Sequence, residues 1–149
     1  MIRAQGSIEV ARRPEACFDY IADLHNEPEF NPDASNIVKT TEGPIGLGTV
    51  YTETVKPLGH FEVRIDRYER PTLLGFDARN RRATIPVRFR FTPEGEGTRI
   101  DVEIEMEFHG ALRLLEPMMR PLVKRMYERK RGPMLKRAIE AADDRARVG

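Results

Sequence analysis

The sequence predicts an α+β domain: a first strand and two short helices, then six consecutive antiparallel strands, then a long C-terminal helix. Three observations carry that reading. Residues 97–108, GTRIDVEIEMEF, alternate: Ile100, Val102, Ile104, Met106 and Phe108 fall on one face, and Asp101, Glu103, Glu105 and Glu107 on the other. Runs of the same period recur between turn signals from Asn36 onward. After Gly110 the apolar spacing changes to three and four, the period of a helix. A sheet of about seven strands tends to curl, and the closing helix would lie across its concave face.

Each element follows from its residues. Ile2, Ala4, Ile8 and Val10 share one parity and make the first strand. In RRPEACFDYIADL, Pro14 suits a first helical turn and Glu15 its positive end. Ala16, Cys17, Tyr20, Ile21 and Leu24 supply that helix's apolar stripe. HNEPEFNPDAS holds Pro28 and Pro32 and predicts a short helical turn centred on Phe30. NIVKTTE is the second strand, closed by GPIGLG, and TVYTETVK the third. HFEVRIDRYE is the fourth, LLGFDAR the fifth, TIPVRFRFTP the sixth and GTRIDVEIEMEF the seventh. Pro86 predicts an irregular or edge start to the sixth strand. PEGEG joins the last two strands as a hairpin loop, which would set Arg90 opposite Asp101 and Arg88 opposite Glu103. In the long helix, Leu112, Leu115, Met119, Leu122, Val123, Met126 and Tyr127 form a stripe, resumed by Leu135, Ala138, Ile139 and Ala142. Pro117 and Pro121 imply a broken first turn or a short preceding helical segment, and Arg131-Gly132-Pro133 a kink or interruption.

The 149 residues suit a single domain spanning 1–149, and 40% apolar with 33% charged residues fit a soluble globular chain. A net charge of +1 excludes a polyelectrolyte. The charge is uneven: 11 Lys and Arg against 5 Asp and Glu from Ala111 onward give +6, leaving −5 for residues 1–110. Cys17 is the lone cysteine, so no intrachain disulfide forms, and it reads as a small buried hydrophobe. No apolar run approaches the ~20 residues that span a bilayer, and the N-terminus has no apolar signal core; a reduced cytoplasm is the expected setting.

This order of elements resembles the SRPBCC superfamily, the helix-grip fold of START domains, pathogenesis-related allergens and bacterial polyketide cyclase/dehydrase and lipid-transport-like proteins. SIEVARRPEACFDYIADLHNEPEFNP resembles the family's opening, with Phe30 where many members have Trp. GPIGLGTVY resembles its second hairpin, and GTRIDVEIEMEFHGALRLLEPMM its last strand and helix entry. The resemblance implies a curved sheet wrapped around the long C-terminal helix, with a cavity between them. By strand parity its wall would include Tyr51, Glu53, Phe61, Val63, Phe76, Val87, Phe89, Phe91, Ile104, Met106 and Phe108. Phe30 would guard one mouth, and Leu115, Met118, Met119, Leu122 and Met126 would form the lid. A one-residue register error turns any strand's assignment over.

The expected function is binding or transport of a small hydrophobic ligand (lipid, polyketide or isoprenoid-like) in that cavity. The alternative is a cofactor-independent enzyme of polyketide cyclase or dehydratase type, with Glu53 and Tyr51 as acid/base candidates. A carboxyl in an apolar pocket has a raised pKa and can serve either role. The opposite orientation, with Glu53 outward and Thr52 inward, stays open. His25, His60 and His109 sit at element ends with no metal spacing; no metal and no organic cofactor are expected. The basic run KRMYERKR reads as a solvated face, or as a contact for an anionic membrane surface through Lys124, Arg125 and Arg129. Tyr127 is its lone aromatic, so no nucleic-acid partner is expected. Acting on a macromolecule through this basic helix is the third reading. The chain is expected to be a monomer or homodimer.

Overall fold

The computed structural model describes the backbone of residues 1–148 and the side chains of residues 1–145. Seven strands are present: β1 (Ile2–Val10), β2 (Ala34–Lys39), β3 (Val50–Val55), β4 (Gly59–Glu69), β5 (Leu73–Arg79), β6 (Ala83–Glu94) and β7 (Gly97–Phe108). They form one sheet in the order β1-β7-β6-β5-β4-β3-β2, with every neighbouring pair antiparallel. β2 to β7 are therefore a plain meander, and β1 returns to lie beside β7. A 3-10 turn (Leu24–Glu29) follows α1 (Pro14–Ala22). The short helical turn expected around Phe30 thus ends one residue before it. The C-terminal helix runs as a 3-10 turn (Gly110–Leu115), α2 (Glu116–Arg125), a π turn (Met126–Arg131) and α3 (Gly132–Val148). This is the helix-grip arrangement: a curved sheet holding a long C-terminal helix.

Strand parity is realised as read. Phe61, Val63 and Ile65 of β4, Phe89 and Phe91 of β6, and Ile100, Ile104, Met106 and Phe108 of β7 are all buried. α1 adds Cys17, Phe18, Ile21 and Ala22 to the same core, and Phe18 meets Tyr68 and Phe91 at ring distances of 5.0 and 5.4 Å. Several hydrogen bonds hold α1 in place. Tyr51 Oη donates to the Ala22 carbonyl at 3.2 Å. Thr98 Oγ1 donates to the Arg12 carbonyl at 2.6 Å. Arg70 grips the Asp19 carboxylate with two bonds of 2.8 Å.

The hairpin register also follows the reading: Arg90 faces Asp101 and Arg88 faces Glu103. The charges nonetheless pair elsewhere. Arg88 Nη2 donates to Asp66 Oδ2 at 3.0 Å, from β6 across β5 to β4. Gly75 permits this, because a Cβ there would lie 2.7 Å from Asp66 Oδ1 and 2.9 Å from Arg88 Nη1. Pro86 sits inside a central strand, not at an edge. It pairs with Asp77 of β5, while the ladder to β7 lapses between Thr84 and Val87. Its missing N–H is the direct cause of that gap.

The start of the long helix follows the second of the two expectations from its prolines: a short 3-10 segment, Gly110–Leu115, precedes α2. Pro117 takes a first-turn position of α2, and Pro121 continues inside it. The expected interruption at Arg131-Gly132-Pro133 is a change of winding: the π turn ends where Gly132-Pro133 opens α3. α2, the π turn and α3 all lie against β1, the sheet's edge strand. Among the described residues, no helix is long and apolar enough to cross a membrane.

Candidate functional site

A cavity of about 120 Å³ lies between the sheet and the C-terminal helix. Its floor is Ala4, Gly6 and Ile8 of β1, Val102 and Ile104 of β7, and Val87 and Phe89 of β6. The π turn and the start of α3 roof it with Tyr127, Arg131, Gly132 and Leu135. Glu27, Phe30 and Asn31, at and just after the 3-10 turn, close one end. The roof sits close over β1 because both strand and helix carry glycine there. A Cβ on Gly132 would come within 2.9 Å of Ile8 Cγ2, and one on Gly6 within 3.4 Å of the Tyr127 carbonyl oxygen.

The polar end is built from three short stretches. Asp23 caps the 3-10 turn by accepting from the His25 backbone N–H at 3.1 Å. That turn projects Glu27, whose Oε1 accepts from Asn31 Nδ2 at 3.1 Å. Asn31, itself 6% exposed, is held by the Asp33 N–H donating to its Oδ1 at 3.2 Å. Glu53 comes from the inner face of β3, opposite Phe61, and is 4% exposed. Its orientation is inward, so the outward alternative for Glu53 is excluded. Both Glu27 Oε2 and Glu53 Oε2 are buried without a hydrogen-bond partner. Burial first, and then the adjacent Glu27 carboxyl, push the Glu53 carboxyl far above the usual carboxylate range. The Glu53 carboxyl therefore keeps its proton at neutral pH.

The π turn brings Tyr127 and Arg131 together over this end. The Arg131 guanidinium carbon lies 5.5 Å from the Tyr127 ring centre, and its Nη2 is 3.6 Å from Asp33 Oδ2. Burial raises the Tyr127 hydroxyl pKa; Arg131 opposes this, and Glu27, Glu53 and Asp33 add to it. The end of the cavity therefore has a neutral phenol, a guanidinium and the Glu27 carboxyl around an apolar space, with the buried Glu53 carboxyl beside Glu27. Among the described residues, no three His, Cys, Asp or Glu side chains gather as a metal site would require.

Of the residues expected at the wall, Phe30, Val87, Phe89 and Ile104 line the cavity. Tyr51, Phe61, Val63, Phe76, Phe91, Met106 and Phe108 face the same interior but fill the core beside it. Tyr51 donates its hydroxyl to the Ala22 carbonyl and is absent from the cavity lining, and burial raises its pKa. The lid differs most. Met119 is partly buried against the core and Met126 Sδ accepts from Arg131 Nη2 at 3.7 Å, but Leu115, Met118 and Leu122 face solvent. Their placement in a lid is corrected for a physical reason: α2 lies on the edge strand β1, so much of its circumference has no sheet beneath it. The helical spacing places Tyr127 in the apolar stripe without marking a role for it, and nothing in the apolar pattern marks Glu27, Asn31 or Arg131 as site residues. The available signal was Glu27 and Asn31 at four-residue spacing beside Phe30.

Residues 1–140 match the family model described as polyketide cyclase / dehydrase and lipid transport. The chain belongs to that family. Solved structures agree on the fold. A START superfamily protein from Mycobacterium smegmatis superposes with a TM-score of 0.74 at 17% identity, covering 97% of this chain and 98% of that one. The ZhuI aromatase/cyclase from Streptomyces sp. R1128 gives 0.71 at 16% identity, over 99% and 95%. Norcoclaurine synthase from Thalictrum flavum, in complex with dopamine and hydroxybenzaldehyde, gives 0.64 at 14% identity, over 96% and 86%. At such identities the likeness is one of fold. No curated protein matches the chain at the sequence level.

Proposed function

We propose that this family member binds a small hydrophobic ligand between its sheet and C-terminal helix, with the ligand's hydrogen-bond donor directed at the Glu27–Glu53 pair. One observation carries this reading: an apolar cavity is lined at one end by Glu27, whose Oε2 is buried without a hydrogen-bond partner among the described residues, with the buried Glu53 carboxyl beside it. A buried acceptor left unpaired is costly, so a hydroxyl or amine there gains more than the same group gains in water. The cavity is of a size for about one aromatic ring, since dry cavities of ~150 Å³ admit benzene. A lipid, polyketide or isoprenoid-like ligand would place further atoms beyond it. The lone buried thiol of Cys17 supports a cytoplasmic setting.

Matched probes test the reading. p-Cresol and 4-methylanisole differ in the O–H alone. Calorimetric or NMR titration should show p-cresol bound about tenfold more tightly. Glu27→Gln or Glu53→Gln should shrink that preference. Equal affinities for the two probes would remove the donor-binding role, and no saturable binding of either would remove the cavity as a site.

A second reading has its own support in the raised pKa of Glu53. A protonated carboxyl beside a second acid can move a proton to and from an enolising ligand, as a cyclase or dehydratase requires. Tyr127, whose ring lines the cavity, then stands where Tyr51 was expected. Turnover that Glu53→Gln abolishes while ligand binding persists would select this reading over simple binding.

A further inference from the structure

The C-terminal helix has a second apolar stripe that no part of the described chain covers. Leu114, Met118 and Leu122 repeat at four-residue spacing and are 82%, 73% and 70% exposed, with Leu115 alongside at 44%. Single exposed leucines are ordinary, but a contiguous row of four large apolar side chains on one helix is not. Around it the charge is one-sided. From Gly110 to Arg131 there are seven Lys and Arg against two Asp and Glu. One of those acids, Glu116, is already engaged by the N-terminal ammonium and by Arg120. Arg113, Arg120, Lys124 and Arg125 are all exposed beside the stripe.

We propose that this face of α2 docks onto an anionic lipid surface, with Leu114, Leu115, Met118 and Leu122 entering the headgroup boundary and the basic side chains meeting lipid phosphates. An apolar row beside a basic face is the combination an interfacial helix needs, because neither the burial nor the charge attraction alone gives firm binding. The net charge selects this occupant over a second copy of the chain. A two-fold pairing through the same face would set Arg113, Arg120, Lys124 and Arg125 of one copy against the same four cations of the other. Docking would also bring the cavity's roof, the π turn that follows α2, next to the membrane. The inference rests on the exposed stripe and its charge, not on what the cavity holds.

Vesicle flotation tests it. Vesicles of phosphatidylcholine alone should leave the protein free, and vesicles containing phosphatidylserine should carry it, less so as salt rises. The triple variant Leu114→Ser, Met118→Ser, Leu122→Ser should lower the bound fraction about tenfold or more. Lys124→Ala with Arg125→Ala should lower it while leaving the helical circular dichroism unchanged. All of these side chains are exposed, so folding is preserved. No binding at low salt would overturn the proposal, as would equal binding to both vesicle types. Full binding by the triple serine variant would reduce the face to a nonspecific cationic contact and so overturn it. A dimer that the serine variant dissociates would assign the stripe to a second copy.

Discussion

The two halves of the C-terminal helix each carry an apolar stripe, in different environments. In α3, Leu135, Ala138 and Ile139 are buried, the last completely. In α2, Val123 is buried, while Met118 and Leu122 stand in solvent. Both halves lie against β1, yet α3 also meets the 3-10 turn after α1. That added support encloses α3's apolar face, and its lack leaves α2 covered on one side. An apolar stripe therefore shows that a helix has faces to bury; the neighbouring elements decide which of them are buried.

The contrast can be broken by mutation, beginning at α3. Ile139→Ala should cost about 2–5 kcal/mol in urea unfolding, because it opens a cavity in a closed core. Leu122→Ala on the other half should change stability by no more than about 0.5 kcal/mol. Similar losses at the two positions would mean that α2 is as enclosed as α3.

Glu53 separates the halves electrostatically, since its pair with Glu27 lies under the π turn that joins them. A carboxyl whose folded pKa is raised above the unfolded value contributes its full stability below the unfolded pKa and loses it as pH rises toward the folded one. The wild type should therefore weaken as pH climbs from about 5 to 8. Glu53→Gln removes that loss and should gain about 1–3 kcal/mol on the wild type across this window. A parallel pH dependence in both proteins would mean that Glu53 is ionised and solvated. Gly132→Ala, at the junction, should cost about 1–3 kcal/mol, as its Cβ meets Ile8. It should also weaken p-cresol binding, because it presses on the cavity wall.

The strands were readable because period-two alternation and hairpin geometry are local. β5 and β7 fall where LLGFDAR and GTRIDVEIEMEF put them, and Arg88 and Arg90 face the residues expected. Arg88's ion-pair partner was not readable, because Asp66 lies two strands away and is reached only across Gly75. The interior orientation of Glu53 followed from parity. Its pairing with Glu27 did not, since it joins β3 to a turn 26 residues earlier in the chain. The π turn was equally hidden: the sequence predicts a disturbance at Arg131-Gly132-Pro133, and the structure has it over Met126–Arg131. The lid was misjudged because a helical stripe carries no information about the width of sheet below it.

The difference between the two faces of this helix is tested most directly by a methyl NMR titration with p-cresol. Saturable shifts confined to Ile8, Val87, Val102, Ile104 and Leu135, with Leu114, Leu115 and Leu122 unmoved, are the predicted result. Shifts centred on Leu114, Leu115 and Leu122, or no saturable shift at the cavity methyls, would contradict it.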